Sequence, residues 1–227
     1  MAKLNIRELK MSTEINKSRI YGQNTSQLFA LVFYLFIVTI FLSMINYGEP
    51  FIFSVYAISD LGTTITKNNQ SNTVCFAIFG IGMISCGMIM LKLFRKFKNN
   101  PNIMNVKIKQ YLLLLTAFGF FLILYPYNLN NTIHSIGAGL IVGSLWALEG
   151  LFLIEFVKLT KALKYFLYLS LLQVSVLGYA YLYFINSPLR QNFQKLSVFF
   201  LLLIMKIITS GNNKLSLSEL FPSFNNE

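Results

Sequence analysis

The apolar residues of the chain fall into six long runs that are separated by short polar segments. The runs lie at about 27–47, 74–94, 111–127, 132–155, 164–185 and 194–210. A helix needs about 20 apolar residues to cross a bilayer. Apart from a closed barrel, only a helix satisfies all of its backbone hydrogen bonds within lipid. Alternating segments of about ten residues, typical of membrane barrels, are absent. The pattern therefore predicts an all-α polytopic membrane protein with six transmembrane helices in a bundle.

Composition and charge support this interpretation. The chain is 55% hydrophobic and only 12% charged, whereas about a quarter of the residues in soluble domains are charged. Of the nineteen basic residues, sixteen fall in the two terminal segments and in alternate connections, and the other connections contain only Lys67, Arg190 and Lys195. The positive-inside rule then puts both termini in the cytoplasm. Because this asymmetry accounts for the formal charge of +11, nucleic-acid binding is not expected.

The chain divides into a cytoplasmic N-terminal segment at 1–26, a transmembrane domain at 27–210 and a cytoplasmic tail at 211–227. The first apolar run is long enough to span and lacks a cleavage site, so it predicts an uncleaved anchor. The longest outer connection covers residues 48–73. Within it, Pro50 suits the first turn of a short interfacial helix between spans one and two, and Gly62 would end that segment in a left-handed turn.

Small residues recur at helical spacing on two of the spans. They are Ser135, Gly139, Gly143 and Ala147 on the fourth span, and Gly82 and Cys86 on the second. Because small residues let helix backbones approach closely, we expect these two helices to lie at the centre of the bundle.

Two polar residues, Asp60 and His134, are predicted to lie at the outer face of the membrane, with Ser59 and Asn72 as possible neighbours. If the bundle brings them together, an Asp–His pair forms at the outer rim. Such a pair could orient the imidazole, bind a headgroup, or act as a general base. The alternative is structural, because Asp in S-D-x-G commonly bonds its own backbone in a turn and His near a helix start can cap it.

Glu149 is the candidate intramembrane carboxyl. It lies fifteen residues beyond His134, which is about 22 Å deeper on the same helix. We expect it to be neutral or paired with Lys206 or Lys92, and a proton-coupled role is one interpretation of its position. Glu155 and Lys158 have the spacing of an ordinary i,i+3 ion pair.

Counting ligands excludes several chemistries. A single histidine rules out a bis-histidine haem, and zinc needs three or four ligands that the sequence does not place together. No nucleophile elbow, P-loop or dinucleotide fingerprint occurs. We therefore predict no metal site and no cofactor, and the sequence favours a role other than catalysis.

The order of several motifs resembles one family. An outer-side I-S-D-L-G (58–62) is followed by Asn72, a glycine-rich span FAIFGIGMISCG and a later L-Y-P (124–126) before His134. Over most of residues 28–210 the chain resembles the bacterial and archaeal membrane family called domain of unknown function 998, related to the damage-regulated autophagy modulator group. It lacks the proline that those relatives place after S-D-x-G. The resemblance implies a six-helix bundle, an outer-leaflet role involving lipid, and Ser59, Asp60, Gly62 and His134 as motif residues.

Three functions stay open at this point. The first is a non-enzymatic protein of a bacterial inner membrane that recognises or organises lipids at the outer leaflet, with membrane lipids as partners and a homo-oligomer possible. The second is a proton-coupled transporter of small solutes that uses Glu149 with Asp60 or His134. The third is an intramembrane enzyme with Ser59 or Ser135 as nucleophile beside His134.

Overall fold

The computed structural model describes residues 25–160 and 162–209, and within these ranges the protein is all-α. The described residues form six α-helices, which are α1 Ser26–Ile45, α2 Thr73–Lys98, α3 Val106–Leu122, α4 Asn131–Thr160, α5 Leu163–Phe184 and α6 Arg190–Thr209. Each helix overlaps one of the six apolar runs, which confirms the all-α prediction. Four of them (α1, α2, α4 and α5) are long and apolar enough to cross a membrane. The predicted terminal segments fall almost entirely outside the described residues.

The third helix is displaced from its predicted bounds of 111–127. It begins at Val106, directly after Asn105 with its left-handed backbone (φ 51°), and ends at Leu122. The prediction put Lys109 in a polar connection because a lysine usually ends an apolar run. In the structure Lys109 is fully buried and pairs with Glu155 of α4. Because Glu155, 46 residues away, gives this lysine a buried partner, α3 begins before Lys109 and is longer at its N-terminal end than predicted.

The helices pack in the order of the chain and the bundle closes on itself. Each helix contacts the next, and α6 also packs against α1 and α4. The most apolar stretch of α4 is 56% buried, compared with 39% for α2. Thus α4 is the central helix, whereas α2 packs mainly against α1 and α3.

The small residues of α2 and α4 differ in what they face. Gly82 lies directly against Thr39 of α1, and Cys86 is buried in the core. The α4 row points away from the neighbouring helices, since no atom lies within 4 Å of a Cβ built on Gly139 or Gly143; its other members are Ser135 and Ala147, both half-buried.

A different glycine brings α3 and α4 together. A Cβ on Gly119 of α3 would lie 2.8 Å from the carbonyl oxygen of Gly137. Because two residues turn a helix by about 200°, Gly137 and Gly139 occupy nearly opposite sides of α4. The sequence shows both positions but not which of the two sides faces the bundle.

Residues 46–72 form a compact covering over one end of the bundle, here named the cap. The predicted helix from Pro50 is not formed: turns cover residues 53–55, and a short 3-10 helix covers Ile58–Gly62. The rings of Phe51 and Tyr56 both pack on Tyr47, with centroids 5.3 and 5.2 Å away. Residues five apart point about 140° apart on a regular α-helix, so this aromatic cluster favours turns. Gly62 ends the 3-10 helix without a positive φ.

Candidate functional site

Asp60 is buried inside the cap and is 5% exposed. Its Oδ2 accepts a hydrogen bond from the backbone N of Ala57 at 2.8 Å and lies 3.2 Å from Nζ of Lys67. In the first contact Asp60, at the third position of the 3-10 helix, reaches back to the backbone N–H of the N-cap residue, as the acidic residue of a capping box does. Asp60 therefore fixes the local fold of the cap while it pairs with a half-exposed lysine.

His134 lies under the cap at the start of α4 and is 1% exposed. Its Nδ1 lies 3.0 Å from the carbonyl oxygen of Tyr125, and a bond to a carbonyl requires this nitrogen to carry the hydrogen. The edge of the ring meets Tyr127 at a centroid distance of 5.4 Å. A Cβ on Gly62 would lie only 2.7 Å from Cε1 of His134. The motif glycine thus lets the cap rest directly on the imidazole.

The structure brings Asp60 and His134 to the same end of the bundle without joining them. No ion pair or hydrogen bond connects the two among the described residues, because Gly62 and its surroundings occupy the space between them. Ser59 lies in the same 3-10 helix and is half-buried. The two residues hold the cap on the bundle through separate contacts and do not form an exposed catalytic pair.

Asn72 ties the two ends of the cap together. Its Oδ1 accepts from the backbone N of Gly48 at 3.0 Å, and its Nδ2 donates to the carbonyl of Thr63 at 2.8 Å. Two residues that the sequence analysis did not single out act similarly, since Asn128 bonds Thr64 and Gln194 bonds the backbone N of Ile58. Their amide side chains show nothing in the sequence that separates them from ordinary polar loop residues.

The second carboxylate of the cap, Glu49, is engaged by neutral donors. The Tyr56 hydroxyl donates to its Oε1 at 2.6 Å and the Asn68 amide to its Oε2 at 2.5 Å. The hydrogen bond to Glu49 and then burial raise the pKa of Tyr56. Burial, followed by the negative charges of Asp60 and Glu49, raises the pKa of Tyr47. Both tyrosines therefore stay neutral at physiological pH.

An apolar groove of about 150 Å³ runs between α1 and α6 beneath the cap. Its walls include Phe36, Ile40 and Met44 of α1, Val198 and Leu202 of α6, and Phe53 of the cap. Lys195 of α6 is the only residue with a polar side chain that lines the groove in the described part of the chain. Lys195 is only 6% exposed. Its Nζ donates to the backbone carbonyl of Phe53 and lies 4.5 Å from the centre of the Phe53 ring.

The groove opens sideways onto the outer surface of the bundle. Ile37 of α1 and Phe199 of α6 line it and are also 39% and 47% exposed. The wall residue Phe53 exposes about half of its surface, as do its neighbours Ile52 and Val55 in the cap. Contiguous exposed apolar surface of this kind marks a site that meets a membrane or a partner. Neither Asp60 nor His134 lines this groove.

Glu149 is fully buried in α4, and neither carboxyl oxygen has a hydrogen-bond partner among the described residues. The two lysines considered as partners lie elsewhere. Nζ of Lys206 lies over the rings of Phe33 and Tyr34 in α1, and Lys92 is exposed on α2. One turn earlier on α4, Nε1 of Trp146 is also buried without a described partner.

A buried ion pair closes the end of the bundle opposite the cap. Nζ of Lys109 lies 2.5 Å from Oε2 of Glu155, and the Asn105 amide donates to Oε1 of the same carboxylate at 2.7 Å. Glu155 is 3% exposed and Lys109 is 0% exposed. The expected pairing of Glu155 with Lys158 is not formed, because the carboxylate points into the bundle toward α3.

Within residues 25–160 and 162–209, no group of three or more His, Cys, Asp or Glu side chains is placed to bind a metal ion. Both Cys75 and Cys86 are buried free thiols. The fold and helix composition thus define an all-α bundle with helices of membrane-spanning character. No protein-family model matches the chain, and no curated protein or solved structure is significantly similar to it. The resemblance to domain of unknown function 998 stays a prediction.

Proposed function

We propose that the chain crosses the membrane six times with both termini in the cytoplasm, and that it binds lipid of the outer leaflet in the groove between α1 and α6. The cap end then faces outward, as the distribution of basic residues predicts. A bacterial inner membrane is the location that the resemblance favours. The observation that carries the proposal is the apolar groove with Lys195 beneath the cap.

The dimensions and chemistry of the groove suit a short stretch of a hydrocarbon chain. A dry cavity of about 150 Å³ with apolar walls accepts a small hydrocarbon, and this groove opens laterally where lipid tails would lie.

Helix α3 has 17 residues and is about 25 Å long, which approaches the thickness of the hydrocarbon core. The cap residues Asp60, Gly62, Asn72 and His134 then serve to hold the outer wall of the groove in place.

Filling the groove tests the proposal. Ile40→Trp puts a large ring where the lipid chain would lie, and we expect phospholipid retained by the purified protein to fall about tenfold, equivalent to about 1.4 kcal/mol. The measurement is lipid per protein by mass spectrometry after detergent washing. Ile81→Trp is the matched control, because Ile81 is 67% exposed on α2. Equal retention by the two folded variants would exclude the groove as a lipid site.

A second candidate function is proton-coupled transport, which Glu149 favours. An ionised carboxylate buried without a partner is costly, so intramembrane carboxyls commonly belong to proton pathways. The unpaired Nε1 of Trp146 three residues earlier lies on a neighbouring position of the same helix. Together they provide a donor and an acceptor for a proton-carrying water inside the bundle.

Proton movement distinguishes this candidate. In vesicles that contain the protein and a trapped pH-sensitive dye, an imposed potassium diffusion potential should drive proton entry. We expect Glu149→Gln to reduce the rate to that of protein-free vesicles. Glu49→Gln, the same chemical change in the cap, should leave the rate unchanged. If wild-type protein carries no protons above the protein-free rate, proton conduction through Glu149 in the absence of a solute is excluded.

A further inference from the structure

Two of the three basic residues outside the predicted cytoplasmic segments converge on one point of the cap. Nζ of Lys67 lies 3.2 Å from Oδ2 of Asp60. Lys195 comes from the other end of the chain and lies within electrostatic reach of both Asp60 and Lys67. The third residue, Arg190, is bonded to Asn186 instead. Two of the three exceptions to the charge asymmetry therefore lie near Asp60, and one of these two, Lys195, lines the groove.

The carboxylates of the cap leave Lys195 without an ionic partner. No carboxylate oxygen lies within 4.0 Å of its Nζ among the described residues, and its polar contact is the neutral carbonyl of Phe53. Asp60 is already engaged by Lys67 and the backbone of Ala57, and Glu49 by Tyr56 and Asn68. A buried ammonium without a counterion is costly, which favours a site that receives an anion.

We propose that Lys195 and Lys67 bind the phosphate of an anionic phospholipid whose chain occupies the groove. This inference rests on the proposed function, because it names the headgroup of the same lipid. Lysine binds phosphate as a point charge through short, charge-assisted hydrogen bonds. Lys67 approaches from the exposed side of the cap, where its side chain is 49% exposed. Lys195 approaches from within the groove, exchanging the Phe53 carbonyl for a phosphate oxygen.

The test compares phosphatidylglycerol with phosphatidylcholine of identical chains, added to delipidated protein in detergent and counted by native mass spectrometry. The wild type should retain the anionic lipid about tenfold better. Lys195→Met, which keeps an unbranched side chain one atom shorter and removes the charge, should remove this preference without reducing retention of phosphatidylcholine. Lys195→Arg should keep it. Lys67→Met, at an exposed position, should weaken the preference for phosphatidylglycerol. This variant tests the headgroup site even if Lys195→Met fails to fold.

Controls distinguish a lipid phosphate from free inorganic phosphate, and the headgroup site from the lipid-binding groove. Lys92→Met, an exposed lysine on α2, should leave the preference unchanged, and excess inorganic phosphate should not displace the lipid. Displacement by phosphate, or a preference that survives both Lys195→Met and Lys67→Met, would overturn the headgroup site. If the two lipids bind equally while Ile40→Trp abolishes binding of both, the groove stands and the headgroup inference fails. If Ile40→Trp changes nothing, the groove itself fails.

Discussion

Lys109→Met is expected to lower the free energy of unfolding by about 3–5 kcal/mol, because it leaves the carboxylate of Glu155 buried without its cation. Asn105 still donates to Oε1, but one neutral hydrogen bond does not replace an ammonium at 2.5 Å. Methionine retains the stem that packs near the Phe152 ring, whose centre lies 4.8 Å from Nζ. The measurement is denaturant unfolding of the purified protein in micelles.

The matched change Lys107→Met, at an exposed position two residues earlier, should cost under about 0.5 kcal/mol. The double variant Lys109→Met with Glu155→Leu should regain most of the lost stability, since apolar replacement of a buried pair is often neutral. A double variant less stable than Lys109→Met alone would show that this interpretation of the pair is wrong.

Gly82→Ala is expected to force α1 and α2 apart. A Cβ at this position would lie 2.0 Å from Oγ1 and 2.6 Å from Cβ of Thr39. These atoms belong to a short, buried side chain close to the helix backbone, so the helices themselves must move. Overpacking of a core costs typically 1–3 kcal/mol, and we expect a loss of about 3 kcal/mol, measured as a lower midpoint of thermal unfolding in micelles.

Two further variants define the cause. Gly139→Ala on α4, where no atom lies within 4 Å of the added carbon, should be neutral or stabilising by up to about 1 kcal/mol, because alanine is the better helix former. The exchange Thr39→Gly with Gly82→Ala moves the side chain across the interface and should recover part of the loss. Equal effects of the two single alanine variants would contradict the close contact.

The helices could be predicted because each apolar run is long and ends in polar residues. The start of α3 could not, since a lysine predicts solvent unless its distant partner is known. The row containing Gly139 was visible, but Gly137 lies at equally good spacing for packing, and only the neighbouring helices decide between them. The cap forms turns where a helix was predicted, because Phe51 and Tyr56 both pack on the ring of Tyr47 and a regular helix would point them in different directions.

For the candidate site, the alternation of connections predicted that Asp60, Asn72 and His134 lie at one end. The local bond of Asp60 to the amide of Ala57 agrees with the structural alternative that the S-D-x-G pattern offered. The partners of Asn72 and His134 could not be predicted, because they include the backbone carbonyls of Thr63 and Tyr125. Lys195 was visible as an outer-side cation, but its place in an apolar groove depends on α6 lying beside α1. Sequence spacing carries no information on a contact across 142 residues.

The long reach of these contacts has a consequence for how the protein is made. Gln194 and Lys195 secure the cap from positions 136 and 142 residues downstream. A chain that leaves the ribosome N-terminus first therefore carries a cap without these two contacts until α6 has been made and packs beside it. Completion of the last helix acts as a final locking step, and a chain truncated before residue 190 would keep this end open to protease.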